Sequence, residues 1–271
     1  MMNHTPDFSR ATPVLPMTPA RLRKLCPLIM AGDPSLDATR ELLRYCAKIG
    51  VAMVELCLPF RNAFTDGKTL LQAHERALRN EASARAVIEM AAEFTDQIDI
   101  ILLADSSHTL RPEGFENILG MARQAGFAGV LPHGLPPVLT SRFDLAAKGA
   151  GLAQVGTIYA NALPEVRQLV LNRAGAFIYL VSSYGRSGGS VDPADLTCQI
   201  EALRSHTSLP IALGFGLKTP GDVARAFEAG ADIAIVGSAI SGVVETALAA
   251  GLDPVEEAAL FIETLNTETL S

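Results

Sequence analysis

Two carboxylates stand apart from the other acidic residues by the company they keep. Glu55 sits inside the apolar run Val54-Glu55-Leu56-Cys57-Leu58-Pro59-Phe60, and Asp66 follows in the loop Thr65-Asp66-Gly67-Lys68-Thr69. Holding an unpaired, charged carboxyl in an apolar strand costs several kcal/mol. The usual consequence is a carboxyl pKa raised toward neutrality, which suits a general acid or base. Two structural explanations stand beside that one: a Glu at the solvated end of a strand, or a Glu paired with a buried Arg. Asp66, in a loop, is the wetter of the two. Carboxylates in unlike surroundings can divide acid and base roles.

Glycines mark a second centre. Gly214-Phe215-Gly216 follows the apolar run Pro210 to Leu213, and Gly237-Ser238 follows Ile233 to Val236 and opens a helical stretch. Glycine lets backbone approach an anion closely, and the free N–H groups of a helix N-terminus bind phosphate. Tight turns alone would also use these glycines. The two motifs recur about twenty residues apart in the same strand-to-helix setting, and together they favour a phosphate site. The loop Ser182 to Ser190, with Ser187-Gly188-Gly189, offers further N–H and hydroxyl donors and the composition of a mobile lid. Tyr179, in the apolar run before that loop, could hydrogen-bond substrate or Glu55, or pack the core. His108 and His133 each follow a strand and could reach the same rim, whereas His74 on a helix reads as structural, and His4 and His206 as surface residues.

These groups are far apart in sequence, so a frame must gather them. Strand patterns fall at Pro27 to Ala31, Val51 to Leu58, Ile98 to Leu103, Ala128 to Leu131, Leu152 to Val155, Ala176 to Val181, Pro210 to Leu213 and Ile233 to Val236. Helix patterns lie between them, among them Leu36 to Ile49, Thr69 to Arg79, Ala82 to Phe94, Gly114 to Gln124, Pro137 to Ala147 and Pro164 to Leu171. Thr18 to Leu25 reads as a short basic helix capped by Thr18. Near-continuous apolar strands alternating with helices imply a parallel sheet covered on both faces. About eight such units in one chain predict an α/β fold of the (β/α)8 TIM-barrel type. The rival, an open doubly wound sheet, would carry a Gly-rich turn after its first strand, and Gly32-Asp33-Pro34 is not one. In a barrel, Glu55, Asp66, the loop Ser182 to Ser190, Gly214-Phe215-Gly216 and Gly237-Ser238 all follow strands and share one rim.

Composition narrows the function further. The 271 residues are 49% hydrophobic and 19% charged, with a formal net charge of -7, which argues against a nucleic-acid partner. No apolar run reaches membrane-spanning length. Cys26, Cys46, Cys57 and Cys198 form no CxxC pair, and a reducing cytoplasm is the expected location. Asp33, Glu55, Asp66 and Asp105 lack convincing cation-ligand spacing, so no metal is expected. Residues 1–17 read as a flexible N-terminal extension and 18–271 as a single barrel domain, with no signal peptide.

In chain order these residues resemble the alpha subunit of tryptophan synthase over roughly residues 18 to 268. Val54 through Phe60 and on to Thr65-Asp66-Gly67 is similar to that family's Leu-Glu-Leu-Gly-Val-Pro-Phe-Ser-Asp-Pro-x-Ala-Asp-Gly-Pro signature. Ala31-Gly32-Asp33-Pro34, Gly214-Phe215-Gly216 and Gly237-Ser238-Ala239-Ile240 resemble its first turn and its phosphate loops, and Ser182 to Gly188 stands at its mobile loop. The resemblance implies a cofactor-independent carbon–carbon lyase that cleaves indole-3-glycerol phosphate, or a close analogue, to indole and glyceraldehyde 3-phosphate. It implies Glu55 as the acid/base and Asp66 on the indole N–H. It implies Tyr179, Ser187, Gly188, Gly214, Phe215, Gly216, Gly237 and Ser238 as substrate-binding residues, and a beta subunit as partner.

The chain departs from the signature at Cys57, Arg61, Asn62, Ala63 and Lys68. Asn62 and Ala63 replace an Asp and a Pro that contact the beta subunit. Ser106-Ser107-His108 stands where the family has Tyr-x-Asn, His133-Gly134-Leu135-Pro136 where it has Pro-Asp-Leu-Pro, and Arg186-Ser187 where it has Val-Thr. Arg61, Lys68 and Arg186 add positive charge to the rim. Two alternatives follow from these changes: a paralogue acting on another phosphorylated substrate, or a non-catalytic allosteric subunit of a beta-type partner.

Overall fold

Side chains along a strand alternate between two faces, and that alternation places Glu55. Val54 and Leu56 join the layer between sheet and helices, while Met53 and Cys57 pack inside the sheet's closed face. Glu55, between them, is set inward.

The computed structural model describes residues 23–269 apart from residues 81, 182–192 and 215. Its strands are β1 (Lys24–Met30), β2 (Met53–Cys57), β3 (Asp99–Asp105), β4 (Gly129–His133), β5 (Ala153–Gln154), β6 (Gly156–Tyr159), β7 (Ile178–Val181), β8 (Ile211–Leu213) and β9 (Ile233–Val236). They form one sheet in the order β5-β4-β3-β2-β1-β9-β8-β7-β6, and the pairings are parallel. β5 pairs with β4 and β6 with β7. Val155 between them donates its N–H to Val130, and Gly156 donates to Phe177. β5 and β6 are therefore one strand that changes partner at Val155, and this closes the sheet into the expected (β/α)8 barrel.

The helices are α1 (Leu36–Lys48), α2 (Lys68–Leu78), α3 (Ala84–Ala91), α4 (Arg111–Glu113), α5 (Phe115–Gln124), α6 (Pro137–Ala150), α7 (Pro164–Leu171), α8 (Pro193–Arg204), α9 (Pro220–Glu228), α10 (Ser238–Ala250) and α11 (Pro254–Asn266). Leu43, Ile88, Ile118 and Phe143 are fully buried in the layer between helices and strands. Cys26, Met53, Ile101, Leu131, Phe177 and Ile235 fill the barrel itself. A packed interior of this kind leaves chemistry to the strand ends. Among the described residues, no helix is long and apolar enough to cross a membrane.

Three local expectations differ from the structure. The helix expected to end at Leu25 gives way to β1 from Lys24, because Lys24, Leu25 and Cys26 pair in register with Ile233, Ala234 and Ile235 and so close the barrel. Lys24 fits a strand end because it reaches Asp99 at 3.1 Å. Residues 18–22 of that segment, like the extension expected over 1–17, lie outside the described residues. The fifth strand, expected to end at Val155, runs on to Tyr159. A Cβ at 156 would meet Ala174 at 2.8 Å and Val170 at 2.9 Å, so glycine is there for close approach to neighbouring chain. After β3, Ser106–Leu110 forms a π-turn that the sequence pattern did not announce.

Candidate active site

β2 carries Glu55 between register partners Leu28 of β1 and Ile101 of β3. Both neighbours are hydrocarbon, and Glu55 itself is 0% exposed. Neither carboxylate oxygen has a hydrogen-bond partner among the described residues. Burial alone pushes this carboxyl up to about 8, so near neutral pH it holds its proton. Glu55 is therefore not at a solvated strand end, and among the described residues no Arg pairs with it.

Asp66 is placed by the loop after β2. Asn62 takes a left-handed conformation, φ 58°, which Asn tolerates better than other side chains with a Cβ. Ala63 then turns inward, and its carbonyl accepts the Asp66 N–H at 2.9 Å. Nε2 of His74, on α2, lies 3.1 Å from Asp66 Oδ2, and Nδ1 of the same ring accepts the Phe60 N–H at 3.1 Å. The Asp66 side chain is 23% exposed, against 3% for His74. One carboxylate is thus dry and unpaired, and the other is half-buried and anchored.

Tyr179 points inward from β7 and is half-buried in the barrel cluster. Its hydroxyl is pushed well above its ordinary range by burial, then by the charges of Glu55, Cys26 and Asp66, which places these groups in one neighbourhood. Burial likewise keeps the Cys57 thiol protonated, aided by the carboxylates of Asp66, Glu55 and Asp105 around it. Cys57 is therefore a small inert filler where the family signature has Gly.

The glycine loops come to the same end of the barrel. Gly237 follows β9 and lies against Leu28, the register partner of Glu55; a Cβ there would meet Leu28 Cβ at 3.2 Å. It precedes α10, whose N-terminus has no side-chain cap. Its first N–H groups are the free donors that an anion would take. Gly216 has φ +80°, and among the described residues nothing lies within 4 Å of where its Cβ would be. Gly214 makes room for the Tyr179 hydroxyl, which a Cβ there would meet at 2.5 Å. Phe215, Ser187, Gly188 and Arg186 lie outside the described residues.

His108 and His133 do reach the rim, and Asp105, not expected to partner them, joins them in a network at the ends of β3 and β4. Asp105 and His133 are register partners and both point inward, so Asp105 Oδ2 lies 3.1 Å from His133 Nδ1. Asp105 Oδ1 accepts the N–H groups of Ser107 and His108, each at 2.9 Å, and lies 2.7 Å from His108 Nδ1. His133 Nε2 is 3.2 Å from the Thr65 hydroxyl, beside Asp66. Phe60 packs against all three rings, with centroids at 4.4 Å for His74, 6.0 Å for His108 and 5.0 Å for His133. Burial works to raise the Asp105 pKa, but the hydrogen bonds from His108, His133 and the backbone outweigh it and hold the carboxyl below the usual carboxylate range. The Asp105-x-x-His108 spacing at a strand end was the readable signal.

The four acidic residues weighed as cation ligands go separate ways. Asp33 makes a two-pronged pair with Arg76 at 2.7 and 2.8 Å, Asp66 meets His74, Asp105 meets two histidines, and Glu55 has no hydrogen-bond partner among the described residues. Among the described residues no group of three or more His, Cys, Asp and Glu side chains is arranged to hold a metal ion.

A closed parallel barrel with carboxylates, a tyrosine and an uncapped helix at the carboxyl ends of its strands is the design of a (β/α)8-barrel enzyme. Comparison with known proteins narrows that class. The family model "Tryptophan synthase alpha chain" matches residues 19–269. The tryptophan synthase alpha chain of Psychrobacter arcticus is 34% identical over 221 residues, covering 80% of this chain and 79% of that one. That of Laribacter hongkongensis is 34% identical over 229 residues, covering 83% and 86%. Among solved structures, the alpha subunit from Legionella pneumophila str. Paris superimposes with a TM-score of 0.83 at 25% identity, covering 91% of this chain and 92% of that one. A mutant alpha subunit from Pyrococcus furiosus gives 0.78 at 26%, covering 89% and 97%. The chain belongs to the tryptophan synthase alpha chain family and is a carbon–carbon lyase of that type.

Proposed function

We propose that this chain cleaves indole-3-glycerol phosphate to indole and glyceraldehyde 3-phosphate, with Glu55 as acid/base and Asp66 on the indole N–H. The observation that carries the reading is Glu55: buried, inward, without a partner among the described residues, and holding its proton up to about pH 8.

The steps balance on these two side chains. The Glu55 carboxyl gives its proton to C3 of the ring, and positive charge spreads to the ring nitrogen. Asp66 accepts the N–H hydrogen bond and stabilises that charge where it develops. The Glu55 carboxylate then takes the proton of the glycerol hydroxyl next to C3. The carbon–carbon bond breaks, its electrons return to the ring, an aldehyde leaves, and Glu55 is protonated again. Tyr179 orients the ring beside Glu55. Phosphate binds at the free N–H groups opening α10, with Gly216, Gly237 and Ser238, joined by Ser187, Gly188 and Phe215. No cofactor enters these steps.

Exposure of Phe64, 81% accessible in the Asp66 loop, supports a beta-type partner seated over that loop. Asn62 is exposed there, but Ala63 is 1% exposed, so its departure from the family Pro changes internal packing and not a partner-facing side chain. Three cysteines buried as free thiols fit a reducing cytoplasm.

A second reading has its own observation. His108 and His133, half-exposed around Asp105, bring polar rings to the mouth and would suit a phosphorylated substrate with a more polar ring than indole. The test is release of indole and glyceraldehyde 3-phosphate by the purified chain, with and without a beta subunit. Turnover that disappears in Glu55→Gln supports the first reading. Absence of both products from the wild-type chain rejects it, and binding of hydroxylated-ring analogues in its place supports the second.

A further inference from the structure

We infer that His74 is a positioning residue for Asp66, tying one carboxylate oxygen to the backbone of Phe60 so that the other is presented to the substrate N–H. The inference rests on the role of Asp66 proposed above.

The hydrogen bonds run in one direction. The Phe60 N–H can only donate, so His74 Nδ1, 3.1 Å away, is the acceptor and carries no proton. The ring proton is on Nε2, which donates to Asp66 Oδ2 at 3.1 Å. The ring has little freedom to do otherwise. It is 3% exposed, and the Phe60 ring meets it edge-on at 61°. Ala73 and Ala77, on the same face of α2, are fully buried and let the helix sit close.

The geometry answers a need. Asp66 sits on a loop, where a free carboxylate would turn about two side-chain bonds. A substrate N–H that must be met in one direction requires that plane to be fixed. Holding Oδ2 from behind with a neutral donor fixes the plane and leaves Asp66 its negative charge. A Lys in the same place would neutralise it. The arrangement extends the site from the strand end to α2 and through Phe60 to the end of β2.

Two substitutions separate the halves of the relay. His74→Asn keeps an acceptor for the Phe60 N–H and removes the donor to Asp66. His74→Gln puts an amide N–H where Nε2 stood. With indole-3-glycerol phosphate, His74→Asn is expected to lower kcat about tenfold to a hundredfold with KM within about threefold, and His74→Gln to keep at least about a third of kcat. In an Asp66→Ala background, His74→Asn is expected to cost less than about twofold, since nothing is left to position. Equal losses in the two variants would overturn the inference, because a role in folding alone favours Asn over Gln. An undiminished loss in the Asp66→Ala background would overturn it as well. If the wild-type chain does not turn over this substrate, the proposed function fails separately, and the link is read from thermal unfolding. His74→Asn should then lower Tm in the wild-type background and hardly at all beside Asp66→Ala; equal lowering in both would refute the link.

Discussion

A methyl group on Gly214 would sit 2.5 Å from the hydroxyl oxygen of Tyr179 and 2.9 Å from Cβ of Ile235. Neither neighbour can give way cheaply. Ile235 is 1% exposed inside the barrel, and Tyr179 is packed in the same cluster. Gly214→Ala is therefore expected to cost about 1–3 kcal/mol of stability by overpacking and to push Tyr179 off the site. Urea unfolding and kcat/KM check both effects. Adding Tyr179→Phe removes the oxygen that clashes and should recover part of the stability, so the two changes should be non-additive. Additive losses would show that Gly214 and Tyr179 do not share that space.

Glu55 carries a pH signature with a defined sign. Its carboxyl is raised from 4.5 to about 8 in the folded chain. Between those values the folded protein binds the extra proton, so this contribution to stability is complete below 4.5 and is lost as pH rises through about 8. Glu55→Gln escapes the loss. It should be more stable than the wild type by on the order of several kcal/mol at about pH 9, and by little at about pH 5. Thermal unfolding across that range checks it; a constant difference would refute the buried, proton-holding carboxyl. Because turnover begins from protonated Glu55, kcat/KM should fall on the alkaline side near the same pKa.

Much of this was readable before the structure, and the unread part has physical causes. Glu55 stood out because it is the one carboxylate in the apolar run Val54 to Phe60. The glycines before α10 stood out because strand, glycine and helix follow each other directly. The network around Asp105 did not stand out, since its members are neighbours through register between β3 and β4, and register is a property of pairing, not of either segment. His74 looked structural for a similar reason. Its partners, the Phe60 backbone and Asp66, lie 14 and 8 residues away and meet it only once the loop has turned at Asn62. Lys24 misled in the opposite way, because a basic stretch read locally as helix until barrel closure decided the matter.

Asp105 has two duties that substitution can divide. Oδ1 accepts two backbone N–H groups and so caps the turn after β3, while Oδ2 meets His133, which reaches Thr65. Asn caps about as well as Asp, so Asp105→Asn should cost under about 1 kcal/mol, and Asp105→Ala about 1–3 kcal/mol. Because hydrogen bonding holds the Asp105 pKa below its ordinary 3.8, the charged form stabilises the fold above that value, and the benefit is lost as pH falls through the lowered pKa. The stability gap between wild type and Asp105→Asn should therefore narrow toward about pH 2 in urea titrations, with widening as the refuting result.

The phosphate assignment can be tested where binding and stability pull apart. Ser238 opens α10, and Gly237 before it offers no capping side chain. A negative charge in the first turn of a helix stabilises it, by about 0.3–1 kcal/mol at an exposed position. The same charge would occupy the field that a phosphate needs and would repel it. Ser238→Asp is thus expected to hold or raise Tm while raising KM for the phosphorylated substrate at least about tenfold, with inhibition by inorganic phosphate weakened in parallel. Calorimetry and steady-state kinetics on one preparation report the two effects side by side. If KM is unmoved while Tm rises, the anion does not bind at α10 and the phosphate must be held by other loops. If KM and Tm both deteriorate, Ser238 supports the fold and says nothing in favour of a phosphate seat, so the assignment to this helix falls in that case too.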